Sequence, residues 1–203
     1  MIRNDPVALP GLLALLVGLA AFAVALVAAR RRRGREAAGP PASRSRASLV
    51  GIVVQMLALL LIGAGPVRLV LPAGAPLAVV EAIVVALLMA GAVGLFTWAS
   101  RAMGRNWSLV ARTRSDHLLV RNGPFAHVRH PIYTGLALFA LAMAVAYGHL
   151  SHLWIGGPLY ALGTWMRVRE EERLLRARFG IDYDAYAAQV PRFVPGLRRR
   201  HAA

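Results

Sequence analysis

Residues 7–29 read VALPGLLALLVGLAAFAVALVAA, and the four arginines at 30–33 follow them directly. This uncharged run exceeds the ~20 residues with which an α-helix crosses a ~30 Å hydrocarbon core, so we expect a transmembrane helix. The run is too long for the apolar core of a cleaved signal peptide, and its basic cluster follows it instead of preceding it. We therefore expect the segment to remain as a membrane anchor.

Four more apolar stretches follow, at 49–71, 77–98, 132–148 and 150–166. The last two are shorter and flank the polar break YGH, so they predict a helical hairpin that enters and leaves the membrane on one side. Backbone groups in lipid must be hydrogen-bonded internally, which requires all five segments to be helices. The predicted fold class is an all-α integral membrane protein with about five transmembrane helices and a helical C-terminal region outside the membrane.

The composition agrees with this class and excludes several kinds of chemistry. Of the 203 residues 58% are hydrophobic, and the mean hydropathy is +0.55, which soluble domains seldom reach. There is no cysteine, so disulfides, thiolate metal sites and cysteine nucleophiles are excluded. All 24 basic residues are arginine, which excludes Schiff-base chemistry and a P-loop lysine. We predict no metal site.

The arginines are concentrated in three segments outside the apolar stretches. Residues 30–46 hold seven, residues 99–130 hold six and the tail from Arg167 holds nine, together 22 of the 24. With five spans all three segments lie on one side, which the positive-inside rule identifies as cytoplasmic. We therefore predict a protein of the cytoplasmic (inner) membrane, with its N-terminus outside and its C-terminus in the cytoplasm.

The formal charge of +15 follows from this distribution. We interpret it as a topology signal and as a contact with anionic lipid headgroups. Because no DNA-binding pattern accompanies the charge, nucleic acid is not an expected partner.

The Pro-, Ser- and Arg-rich stretch 34–48 is typical of a flexible linker. The expected organisation is an N-terminal anchor helix with its basic linker over 1–48, and a membrane core over 49–203. Within that core, the polar residues other than arginine collect between 117 and 196.

The first polar cluster, HLLVRNGPFAHVRHPIY at 117–133, precedes the fourth apolar stretch. It predicts an extended piece over 118–120, a turn at Asn122-Gly123-Pro124, and a helix that begins near Pro131. His130 precedes that proline and is therefore kept out of the helix. The helix N-terminus suits an anionic group, so a polar pocket is one interpretation and interfacial anchoring is the other.

The second cluster, RVREEERLLRARFG at 167–180, follows the fifth apolar stretch and is expected to continue it as a helix. Glu170 and Glu172 are spaced to pair with Arg173 and Arg176, respectively. Consecutive glutamates point about 100° apart, so one of the three is left to face the loop. Arg167, at the membrane boundary, is either a snorkelling anchor or a substrate clamp.

RNGPFAHVRHPIYTG at 121–135, followed some 40 residues later by EERLLRARFGIDYDAYAAQVPRFVP, resembles the isoprenylcysteine carboxyl methyltransferase and phospholipid methyltransferase group of membrane enzymes. The resemblance rests on an Arg-His-Pro-x-Tyr motif, a hydrophobic hairpin and a Glu-Glu pair. It implies S-adenosylmethionine-dependent methyl transfer to a lipophilic acceptor at the cytoplasmic membrane face. The resemblance covers about residues 100–196, where it implies the catalytic region, and the first three spans are matched by hydropathy alone.

The resemblance also implies roles for individual residues. It makes Arg167 the substrate-orienting, catalytic arginine and Glu171 a cofactor-binding glutamate. Phe125 stands where the family usually has tyrosine, and Arg192 receives no role. The other residues that it implies for the cofactor site are His117, Leu118, Leu119, Val120, Gly123, Arg129, His130, Pro131, Ile132 and Tyr133.

The implied chemistry suits these residue types. A sulfonium donor carries its own leaving group, so alignment of the reactants is the main requirement. A carboxylate acceptor needs no general base, and a planar arginine can hold it through two hydrogen bonds. A phospholipid amine or a small thiol stays open as the acceptor, and the oligomeric state is open too.

Two other functions compete with methyl transfer. A sterol-type membrane reductase would use NADPH, whose 2′-phosphate the arginines could bind. A transporter or regulator would need polar or broken helices at mid-membrane, for which Glu81 and the glycines at 91 and 94 are the only hints.

Overall fold

The computed structural model of the chain describes residues 4–36, 46–104 and 118–196, of which 33–36 are described by their backbone only. The helices are α1 (Leu9–Glu36), α2 (Arg46–Gly63), α3 (Pro76–Met103), α4 (Pro131–Ala146), α5 (Leu153–Phe179) and α6 (Ile181–Gln189). Short 3-10 turns cover Gly123–Ala126 and Leu150–His152. The prediction of an all-α integral membrane protein is confirmed.

Within the described ranges, three helical segments are long and apolar enough to cross a membrane: Leu9–Arg32, Arg46–Gly63 and Pro76–Met103. The helix at Pro131–Ala146 is apolar but shorter. As predicted, α5 continues well past the apolar stretch that ends at 166, so its second half carries the glutamates away from the apolar layer.

The chain passes back and forth, so the helix ends gather in two layers. The end of α1, the start of α2, the end of α3, the start of α4 and the end of α5 lie together at what we call the basic end. The opposite end contains a feature that the hydropathy pattern did not indicate. There β1 (Pro6–Val7) pairs in parallel with β2 (Arg68–Leu69), and the Asp5 amide donates to the Gly148 carbonyl at 2.8 Å.

The helices pack as α1 on α3, α3 on α4 and α2 on α5. The last of these contacts is unusually close. A Cβ built on Gly163 would lie 2.8 Å from the Gln55 backbone nitrogen and 2.9 Å from the Gly51 carbonyl oxygen. Small residues therefore let α2 and α5 cross at backbone distance, which brings Gln55 against the part of α5 that leads to Arg167.

The two hints of a mid-membrane polar site have structural explanations. Glu81 accepts a hydrogen bond from the Ala8 amide at 3.3 Å, at the end opposite the basic end. A Cβ on Gly91 would lie 2.9 Å from Leu138 Cδ1, so this glycine serves the α3–α4 contact.

Candidate active site

The loop before α4 turns as predicted and delivers His130 to α5. Gly123 has φ 61°, and a Cβ there would lie 3.1 Å from the Trp98 indole nitrogen, so both backbone and space require glycine. Pro131 is the first residue of α4. His130 has φ −128° and ψ 57°, outside the helical region, as expected for a residue before proline.

Both nitrogens of the His130 ring face carboxylates. Nδ1 lies 3.5 Å from Glu171 Oε2, and Nε2 lies 3.3 Å from Glu172 Oε1. The Tyr133 hydroxyl donates to Glu171. A doubly protonated imidazole has one donor for each carboxylate, so this arrangement favours the charged ring.

Glu172 is the centre of the cluster, which the sequence interpretation missed by assigning it to Arg176. Its side chain is 2% exposed, and Arg192 Nε and Nη2 donate to its two oxygens at 3.0 and 2.8 Å. Arg129 Nη1 lies at 3.4 Å, whereas Arg176 is more distant at 3.9 Å. Arg192, which had no role in the sequence interpretation, is therefore the bidentate partner of a buried carboxylate.

These contacts shift two pKa values in opposite directions. Burial alone would raise the pKa of Glu172, but hydrogen bonds from His130 and Arg192 and the charge of Arg129 hold it far below its ordinary value of 4.5. Burial alone would lower the pKa of His130, but the hydrogen bonds and charges of Glu171 and Glu172 raise it above 6.5. The cluster is therefore an ionic network of imidazolium, carboxylates and guanidinium groups.

The raised pKa of His130 predicts a pH-dependent stability. Charged His130 stabilises the fold fully below its unfolded pKa, and this contribution is lost as the pH rises through the raised folded pKa. We expect the unfolding temperature of the protein in detergent to exceed that of His130→Gln at about pH 6, and the difference to shrink as the pH increases. A difference that stays constant or grows with pH would contradict the charged state of the ring.

The C-terminal tail closes over the loop. The amides of Arg129 and His130 donate to the carbonyls of Pro191 and Arg192 at 2.9 and 3.0 Å. The Tyr186 hydroxyl of α6 donates to the Phe125 carbonyl at 2.7 Å. Backbone bonds therefore hold the tail beside His130, which places the Arg192 guanidinium on Glu172.

Arg167 lies one helical turn before Glu171, as the sequence predicts, and it contacts two other helices. Its Nη1 donates to Gln55 Oε1 at 2.7 Å, and its guanidinium carbon lies 4.9 Å from the centre of the Tyr133 ring. Gln55 Nε2 donates to Thr164 Oγ1 at 2.7 Å. The signal that could have indicated Gln55 is that it is an amide inside an otherwise apolar span.

A cavity of about 340 Å³ lies between α4, α5 and the tail, beside this cluster. The cavity is lined mainly by the apolar atoms of Tyr133, Thr134, Ala137, Tyr160, Ala161, Thr164, Trp165, Val168, Arg192, Phe193 and Val194. Its wall is therefore mostly apolar, with the polar groups of the cluster at one side.

Comparison with known protein families finds a match for the part of the chain that contains most of the cluster. Residues 82–177 match the isoprenylcysteine carboxyl methyltransferase (ICMT) family. The region is similar to that family, and the match covers slightly less than half of the chain. The match begins inside α3 and ends before the tail, so neither Gln55 nor Arg192 lies within it.

Three named relatives each align with about half of the chain or less. The chain is 36% identical over 98 residues to the protein-S-isoprenylcysteine O-methyltransferase of Schizosaccharomyces pombe, which is 45% of this chain and 40% of that protein. It is 35% identical over 85 residues to the protein of the same name from Tribolium castaneum, 40% of this chain and 29% of that one. It is 30% identical over 105 residues to the cobalt-zinc-cadmium resistance protein CzcN of Cupriavidus metallidurans, 51% and 48% of the two chains. The alignments thus cover less than half of each relative.

The structure brings some of the predicted ICMT-type site residues together and separates others. Arg129, His130, Tyr133, Glu171 and Arg167 form one cluster. Pro131 begins α4 and is buried. The cluster therefore uses the polar members of the motif.

The remaining predicted residues lie elsewhere. Ile132 packs against the hydrophobic cluster that contains Phe96. Phe125 is buried, and its carbonyl accepts the hydrogen bond from Tyr186 of α6. Leu118 is 62% exposed, and Leu119 and Val120 are half-buried in a stretch without regular secondary structure. His117 lies outside the described residues.

Proposed function

We propose that the protein transfers a methyl group from S-adenosylmethionine to a lipophilic acceptor, and that the acceptor group is a carboxylate. One observation carries the proposal: within the region similar to the ICMT family, His130, Tyr133 and Glu171 meet one helical turn from Arg167, beside an apolar cavity. Two of the relatives bear the name protein-S-isoprenylcysteine O-methyltransferase, which supports this choice of acceptor.

The side chains of the cluster fit the cofactor. The Glu171 side chain is 28% exposed, although Tyr133 and His130 hold it in place, so one carboxylate is both oriented and accessible. A carboxylate of this kind would bind the ammonium group or the ribose hydroxyls of S-adenosylmethionine. The cofactor supplies an activated methyl group on a sulfonium.

The acceptor site follows from the cavity and from Arg167. Apolar walls between α4 and α5 would hold a lipid chain, because burial of apolar surface drives such binding. Arg167 would bind the acceptor's anionic group with its planar donors and hold it toward the methyl group. A carboxylate needs no proton removed before it attacks, so the mechanism requires no general base.

Calorimetry tests the cofactor site. We expect His130→Ala, Tyr133→Ala and Glu171→Gln each to weaken S-adenosylmethionine binding by about tenfold or more. Glu171→Gln removes the carboxylate, and the other two substitutions remove a side chain that holds it in place. Glu170→Gln is the matched control, because Glu170 pairs instead with Arg173 at 2.7 Å. Unaltered binding in the first three variants, or binding of NADPH in place of S-adenosylmethionine, would overturn the proposal.

The proposed function requires the basic end to face the cytoplasm, where S-adenosylmethionine is made. We propose this orientation, with 1–48 as the anchor and linker and 49–203 as the catalytic core. Reporter fusions at Ala73 and Ala203 are expected to show the first outside and the second in the cytoplasm. The reverse result would place the cluster on the side without cofactor.

A further inference from the structure

Gln55 is a buried amide in α2, and no motif or family match includes it. Its side chain is 4% exposed, in a helix that is otherwise apolar enough to span a membrane. A polar group at such a position costs free energy unless its hydrogen bonds are made, so intramembrane polar residues usually serve a specific contact.

Both ends of the Gln55 amide are used, and the partners determine its orientation. Arginine has donors only, so the atom that faces Arg167 Nη1 at 2.7 Å must be the carbonyl oxygen Oε1. The NH2 group then faces Thr164 Oγ1, also at 2.7 Å. Thr164 and Arg167 are three residues apart on α5, so the amide spans one turn of that helix from the neighbouring one.

The close crossing of α2 and α5 makes this reach possible. A Cβ on Gly51 would lie 2.5 Å from Arg167 Cγ, and one on Gly163 would lie 2.8 Å from Gln55 Cγ. The two glycines therefore leave room for the Arg167 stem on one side and the Gln55 stem on the other. The guanidinium is held between the amide and the face of the Tyr133 ring.

We infer that Gln55 is a positioning residue for Arg167, the arginine that binds the methyl acceptor, and this inference rests on the proposed function. The Gln55 amide accepts a hydrogen bond from Nη1 of Arg167, and the Tyr133 ring packs against the guanidinium of Arg167. These two contacts hold the guanidinium plane in one orientation toward an anionic acceptor. Bidentate recognition of a carboxylate depends on that plane, and misplacement of about 1 Å at a reacting centre lowers turnover by about 10²-fold.

A double-mutant cycle tests the inference with Gln55→Met, Arg167→Lys and the double variant. Methionine keeps the length of the side chain and removes both hydrogen bonds. We expect Gln55→Met to lower kcat by about 10- to 100-fold and to leave the Kd for S-adenosylmethionine unchanged. In the Arg167→Lys background it should lower kcat by no more than about twofold, because the group that it positions is already altered.

The controls separate folding from positioning. Leu57→Met places the same side chain at an exposed position of α2 and is expected to keep wild-type turnover. If Gln55→Met does not fold, Thr164→Val replaces it in the cycle, since it removes the other partner of the amide. If the loss of kcat in the double variant equals the product of the losses in Gln55→Met and Arg167→Lys, the two residues act independently. That result would overturn the inference and leave the proposed function intact. A wild-type protein that binds no S-adenosylmethionine would overturn the proposed function, and the inference with it.

Discussion

Replacement of Arg167 by lysine is expected to lower turnover by one to several orders of magnitude while S-adenosylmethionine still binds. Lysine keeps the positive charge and the reach to the membrane surface, but it loses the planar fork. It cannot keep the bond to Gln55 Oε1 and also present two parallel donors to the acceptor. Each factor of ten in kcat corresponds to about 1.4 kcal/mol of lost transition-state stabilisation.

The comparison variant for this prediction is Arg173→Lys on the same helix. Arg173 is mostly exposed and pairs with Glu170, so its replacement should leave turnover unchanged. Full methyl transfer by Arg167→Lys, on an acceptor shown to be anionic, would mean that Arg167 is an interfacial anchor and not a substrate clamp.

Glu172→Gln is expected to cause the largest loss of stability among single substitutions in the cluster, about 3 kcal/mol. The substitution removes the negative charge that Arg129 and His130 face in a buried position. Arg192 is 41% exposed and can turn toward water, so it contributes less to the loss. Denaturant unfolding in detergent micelles measures the change.

Glu170→Gln is the matched control for Glu172→Gln, since it makes the same chemical change two residues earlier. The Glu170 side chain is buried, but it has one arginine partner, which is 64% exposed, so we expect a clearly smaller loss than for Glu172→Gln. Equal losses in the two variants would show that the network around Glu172 stabilises the protein no more than the single pair of Glu170 with Arg173 does.

Local rules were sufficient for much of the fold and part of the site. Hydropathy predicted the apolar helices, although α2 ends at Gly63 and not at 71, where residues Arg68–Leu69 form β2 instead. Pro131 predicted the start of α4, and helical geometry places Arg167 one turn before Glu171. The same geometry left only one glutamate for the loop. The structure uses two, because the His130 ring lies between Glu171 and Glu172, and the tail adds Arg192 to Glu172 from a different side.

Contacts between distant segments could not be predicted in this way. Gln55 and Arg167 are 112 positions apart, and their contact depends on the pairing of α2 with α5. Apolar spans carry little information about which span packs on which, so the pairing was not visible. The role of Arg192 was hidden for the same reason, since it depends on how the tail folds back onto the loop.

Motif membership was also a poor guide to side-chain direction. Ile132 lies between two cluster residues in the sequence, yet it points toward the packing around Phe96. Consecutive residues at the start of a helix point about 100° apart, so Pro131, Ile132 and Tyr133 cannot all face one ligand.

The measurement that tests the account most directly is transfer of a labelled methyl group. Purified protein is incubated with methyl-labelled S-adenosylmethionine and a membrane lipid extract, and the products are identified by mass spectrometry. We expect a labelled methyl ester of a lipophilic carboxylate, formed by the wild-type protein and lost in Arg167→Lys. No labelled product from wild-type protein with any component of the extract, or a labelled amine or thioether in place of the ester, would contradict it.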